Sequence, residues 1–188
     1  MKLPKKISPN PLLYANVEIR YNSDMEDGEL TKKYFEIFSS EFQEINTADQ
    51  ILTGGVIGQH PYMAKYRFKN ENYVLSFGSN VVVFSQVGEY TFWESYFPFI
   101  CDKLKKVFSA KIIRDVERIG LRYASVFNTE KENVLKHNPL LNISGFEEEL
   151  LQARYILKRN DNSVLVQISN NATINIQGKK QINGGLMI

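Results

Sequence analysis

The chain has 188 residues, with 23 Lys and Arg against 21 Asp and Glu, a net charge of +2 and a 43% hydrophobic fraction. That length suits one domain or two small halves sharing a sheet, and the ordinary composition excludes bulk disorder. Near-balanced charge argues against a strongly electrostatic partner such as duplex DNA while leaving room for a local basic patch. The single cysteine, Cys101, excludes an intrachain disulfide, fits a reducing, cytoplasmic compartment and reads as a small buried hydrophobe in an apolar helix.

Residues 1–10 carry Pro4, Ser8, Pro9 and Asn10 and read as an extended N-terminal arm. The positive start is followed by Asn10, Asn16, Glu18 and Arg20 rather than by an apolar run, so it is no signal peptide. A strand is expected over Leu12 to Tyr21, where Leu13, Ala15, Val17, Ile19 and Tyr21 alternate with polar residues. A helix is expected over Asp27 to Asn46. Leu30, Tyr34, Ile37, Phe38, Phe42 and Ile45 form its apolar stripe, with Ser23, Asp24 or Asp27 as cap.

Three short strands should follow: Pro61 to Lys69, Tyr73 to Phe77 and Val81 to Val87. The turns at Asn70-Glu71-Asn72 and Gly78-Ser79-Asn80 separate them. The long uncharged stretch from Asn72 to Gly88 is too polar to span a membrane. A second helix is expected over Thr91 to Phe108. Thr91 and Glu94 have capping-box spacing, and Pro98 implies a kink or a start at Ser95. Lys103, Lys105 and Lys106 suit the negative end of its dipole.

A long strand over Asp115 to Phe127 leads into the weakly patterned segment 128–150. Strands Gln152 to Arg159, Ser163 to Ile168 and Ala172 to Gln177 follow, broken at Asn160-Asp161-Asn162 and Asn170-Asn171. The apolar end, Leu186-Met187-Ile188, has the look of a strand cut in the middle and lacking a partner. The whole reads as an α+β fold, an antiparallel-dominated sheet with two main helices packed on one face. Residues 11–188 make one domain, divisible at 128/129 into halves and truncated at its C-terminus.

No constellation of catalytic or metal-binding residues is visible. His60 and His137 are far apart and lack a ligand set, and no Cys/His pair has motif spacing, so neither metal nor cofactor is expected. Gly54, Gly55 and Gly58 lack the Lys-Ser/Thr of a phosphate loop, and no serine sits in a nucleophile elbow. The run Glu147-Glu148-Glu149 reads as a solvated face.

The segment Arg118-Ile119-Gly120-Leu121-Arg122-Tyr123, with Tyr90 and Trp93 upstream and Val17-Glu18-Ile19 near the start, resembles a sporadically distributed family of uncharacterised prokaryotic proteins. The likeness spans about residue 8 to the end, and the family brings no activity with it. Two departures stand out. The opening strand lacks the family's proline, and the family's further strand and C-terminal helix are missing after Ile188.

A hydrolase or nuclease has no motif behind it, and two non-enzymatic functions stand ahead of it. One is a binding or assembly module with a protein partner. The other is a binder of single-stranded nucleic acid or another anion on the sheet face opposite the helices. There Lys65, Arg67 and Lys69 share one side of their strand, as do Arg118 and Arg122, and as do Arg154 and Lys158. The plainer account of these cations is the wet face of an antiparallel sheet. On the long strand the two arginines flank Gly120, and Ile119, Leu121 and Tyr123 should face the helices. Glu18 should share the arginines' face and pair with one of them, leaving the other for a carboxylate or phosphate.

Overall fold

A computed structural model describes residues 10–45, 62–86, 90–127, 152–174 and 182–187. The chain divides into two compact units. One is Tyr14–Arg122, and the other combines Met1–Leu13 with Tyr123–Ile188.

The first unit contains β1 (Leu12–Asn22) from Tyr14 on, α1 (Asp27–Phe38), β2 (Gln43–Ile45), β3 (Tyr66–Lys69), β4 (Tyr73–Gly78), β5 (Val81–Gln86), α2 (Trp93–Ser109) and the residues of β6 (Asp115–Phe127) up to Arg122. Its strands lie in the order β2-β3-β4-β5-β1-β6, and every registered pair is antiparallel. Register sorts the faces. Val17 lies opposite Phe84, Phe84 opposite Leu75 and Leu75 opposite Phe68, so these four apolar side chains form one transverse row.

Both helices cover that face. Tyr34 of α1 stacks on Phe77 with ring centroids 4.1 Å apart, and Phe35 meets Phe68 edge-on at 4.8 Å. From α2, Phe99 stacks on Tyr73 at 3.7 Å. The Tyr96 hydroxyl donates to the Phe84 carbonyl oxygen at 2.6 Å. Tyr21, Tyr34, Phe38, Phe68, Phe77, Phe84 and Tyr96 are fully buried, so the core is mostly aromatic, with polar ends satisfied inside it. The Tyr21 hydroxyl donates to the Gly78 carbonyl oxygen and lies 3.0 Å from the Tyr34 hydroxyl. Burial pushes the Tyr21 phenol up to about 12 and the Tyr34 phenol well above its ordinary value.

Several expected boundaries move. The first helix stops at Phe38 rather than Asn46. Ser39 and Ser40 are poor helix formers, and the Glu41 and Phe42 amides both turn back to the Phe38 carbonyl. Phe42 keeps its burial from this turn, and Gln43–Ile45 pairs as a strand with β3. No side chain caps α1, whose N-cap residue is Glu26. The expected capping box of α2 does not form either. The helix begins at Trp93, before Ser95, behind Phe92 at φ 68°, and the Thr91 hydroxyl accepts instead from the Gln86 amide at 2.8 Å. Pro98 lies inside the helix, where it removes a single ladder bond. The strand expected from Pro61 is regular only from Tyr66. Before it, the chain passes so close to β4 that a β-carbon on Gly78 would run into the Met63 carbonyl oxygen.

In the second unit the order is β6-β9-β8-β7, with β7 (Gln152–Arg159), β8 (Asn162–Ile174) and β9 (Ile182–Met187), again antiparallel. The strand expected to break at Asn170-Asn171 runs on, absorbing those residues as register shifts between Ser169, Ala172 and Ile174. Leu186 and Met187, expected to lack a partner, lie opposite Phe127 and Val126 of β6, and Met187 also faces Ser169 of β8. The segment 128–150 with its acidic trio, His60, His137 and the Gly54-Gly55 turn lie outside the described residues.

Candidate functional site

On β6, a β-carbon built on Gly120 would sit 3.9 Å from the Glu18 β-carbon and 3.9 Å from an Arg118 guanidinium nitrogen. Glu18 alternates with the buried Val17 and Ile19, so Glu18, Arg118 and Gly120 share the face opposite the helices, as alternation also requires for Arg122. The space left by Gly120 is a shallow notch beside the Arg118 guanidinium.

Glu18 is not the arginines' ion-pair partner. Its carboxylate takes the Arg20 Nε–H at 2.7 Å. Arg20 lies 4.5 Å from the centre of the Tyr62 ring, and the Tyr62 hydroxyl donates to Glu117 at 2.6 Å. That hydrogen bond to an acceptor carboxylate raises the Tyr62 phenol. Glu18, Arg20, Tyr62 and Glu117 thus make a surface polar chain that links β1, β6 and the run into β3. Arg118 and Arg122 are exposed and enter no ion pair among the described residues.

The trio on the other side of β6 departs from expectation. Ile119 is 68% exposed and Leu121 51%, and Tyr123 is exposed as well. The helices dock over β1, β3, β4 and β5, and among the described residues no helix contact covers Ile119 or Leu121 on the helix side of β6.

The other cations do not make one basic surface. Lys65 precedes β3, and its ammonium is held by Asp27 at 2.7 Å and Ser79 at 3.3 Å. Arg67 is half-buried, with Nε lacking a hydrogen-bond partner among the described residues. Lys69 is exposed and borders an open cleft of about 680 Å3 that Glu41, Glu44 and Glu71 also line. Arg154 and Lys158 belong to the second unit, exposed on one side of β7. Lys103, expected only to complement the dipole of α2, is buried; it bonds Glu41 and Asp102 and lies 5.5 Å from the Phe99 ring centre. Burial works to lower its ammonium, but hydrogen bonds to Asp102 and Glu41 more than offset this and hold it above its ordinary value. It packs α2 against the turn after α1.

The most unusual surface is the β7–β8 hairpin. Ile156 lies opposite Leu165 on one face, and Leu157 opposite Val164 on the other. All four are exposed, Ile156 at 61% and Leu157 at 58%. An antiparallel pair ordinarily hides one apolar face and wets the other; here both faces carry exposed apolar residues alongside their cations. The sequence carried the signal in Tyr155-Ile156-Leu157 and Val164-Leu165-Val166, where consecutive apolar residues replace alternation.

Among the described residues no group of three His, Cys, Asp or Glu side chains converges as a metal site, and no helix is long and apolar enough to cross a membrane. No family model matches the chain, and no curated protein or solved structure matches it either.

Proposed function

We propose that the chain is a non-catalytic binding or assembly module of an accessory prokaryotic protein working in a reducing, cytoplasmic-type compartment, its partner another protein. The observation that carries this reading is the β7–β8 hairpin, with exposed Ile156 and Leu165 on one face and Leu157 and Val164 on the other. Apolar surface held open on both sides of a ribbon gains free energy only when something covers it, by about 25 cal/mol per Å2 buried. The resemblance around Arg118–Tyr123 to an uncharacterised prokaryotic family is the ground for the accessory prokaryotic setting and assigns no activity. The test places a photo-crosslinking residue at Ile156 and, separately, introduces Ile156→Asp and Leu165→Asp. A specific protein adduct in the native cytosol, lost in the Asp variants while thermal stability holds, supports the module. An absence of any adduct, with the chain monomeric at high concentration, overturns it.

A second reading, a binder of single-stranded nucleic acid or another anion without cofactor or metal, rests on Arg118 and Arg122. Both are exposed and outside any described ion pair, and Arg118 lies beside the Gly120 notch. Oligonucleotide binding that falls on replacing either arginine with Gln would favour it.

A further inference from the structure

We infer that the outer edge of β7 takes up an extended segment of a partner protein, rich in alternating acidic and apolar residues, as an added antiparallel or parallel strand. This rests on the reading of the chain as a binding module and names the partner's chemistry.

β7 closes its strand order and pairs only with β8 among the described strands. Every second residue of such an edge turns its N–H and C=O outward, a ready template for another chain. Eight residues in β7 present about 26 Å of that edge. The side chains along it say what can lie there. Arg154, Ile156 and Lys158 project to one face, Tyr155, Leu157 and Arg159 to the other, and all six are exposed. Arg154, Lys158 and Arg159 enter no ion pair among the described residues, and the hairpin from Gln152 to Ser169 holds one acid, Asp161, against these three cations.

A second copy is a poor occupant. Two β7 strands would bring three cations against three along one ladder, and the register centred on Ile156 sets Arg154 directly opposite Lys158. The charge that blocks self-pairing favours a strand of opposite sign. Every second residue of the added strand would lie opposite Arg154, Ile156 and Lys158; acidic residues four apart would meet the two cations, while apolar residues on the other face would extend the Leu157–Val164 row. A nucleic acid would satisfy the cations but could not continue a backbone ladder and would leave both apolar rows uncovered.

The experiment titrates the full chain into a fluorescent eight-residue peptide alternating Glu and Val, followed by anisotropy. The controls are the same peptide N-methylated at alternate residues, a Lys-Val counterpart and an oligothymidylate. The expected result is binding of the Glu-Val peptide, lost on N-methylation and absent for Lys-Val. The double variant Arg154→Glu/Lys158→Glu should weaken it by about tenfold or more and should gain the Lys-Val peptide. No Glu-Val binding up to about 1 mM, equal binding of the methylated peptide, no preference over Lys-Val, or tighter binding of the oligothymidylate each overturns the inference. The peptide comparisons use the native chain, so they stand even if the variant misfolds. If they fail while the Ile156 cross-link persists, strand addition is wrong and the module reading survives; if both fail, the module reading goes with it.

Discussion

The Tyr14–Arg122 unit and the β7–β8 hairpin are built from the same antiparallel pairing, yet they treat apolar side chains in opposite ways. In the first, Phe84, Leu75 and Phe68 lie in a row that α1 and α2 seal, and all three are buried. In the second, Ile156, Leu165, Leu157 and Val164 are equally apolar and equally well registered, and all four are exposed. Strand pairing aligns side chains without burying them; burial needs a second layer. Apolar content alone therefore does not separate core from interface.

The sharpest way to break this contrast is paired truncation. Phe77→Ala removes a ring that stacks against Tyr34, Tyr66 and Phe68, and chemical denaturation should show a loss of about 3–5 kcal/mol. Ile156→Ala should stay within about 0.5 kcal/mol. Similar losses at the two positions would mean that the hairpin is covered after all. Next in size is Gly78→Ala, which forces the Met63 carbonyl away from β4 and should cost about 2 kcal/mol, read as a lower denaturation midpoint at unchanged slope.

A smaller effect concerns pH. Burial tends to raise the Glu41 carboxyl, but the ammonium groups of Lys103 and Lys106 hold it below its ordinary value overall. A carboxylate lowered on folding contributes stability that is present above the ordinary carboxylate range and is lost as pH falls through the folded value. Glu41→Gln should therefore lower the melting temperature near neutrality and flatten its decline in acid. A parallel decline in both proteins would remove Glu41 from the account. The smallest expected change is at the surface: Arg118→Gln and Arg122→Gln should each shift stability by less than about 0.5 kcal/mol. A larger loss on replacing Arg118 would make its guanidinium beside Gly120 a structural element rather than a free cation.

The architecture was legible because two periods dominate it. Alternation through Ala15, Val17, Ile19 and Tyr21 and the stripe Leu30, Tyr34, Phe38 each identify a buried face, and the antiparallel α+β fold with both helices on one face follows from them. What failed was decided by contacts distant in sequence. Phe42 and Ile45 continue the helical spacing, but Gln43–Ile45 pairs with Lys69, Phe68 and Arg67, and the ladder wins over the helix. Alternation correctly put Glu18, Arg118 and Gly120 on one face. It could not reveal that Arg20, two residues along the same strand, takes the Glu18 carboxylate. Nor could it say that the row of Ile119 and Leu121 lies beyond the reach of α2, because helix placement above a sheet leaves no periodic trace.

Trp93 gives the molecule a built-in optical reporter. It is the only tryptophan in the chain, stands at the first turn of α2 and stacks on Phe97 with ring centroids 5.2 Å apart. Its emission therefore follows the helix-covered unit, whereas a dye on the β7–β8 turn would follow the hairpin. Melting curves from the two probes that coincide would mark one cooperative transition, and curves that separate would give each unit its own unfolding temperature.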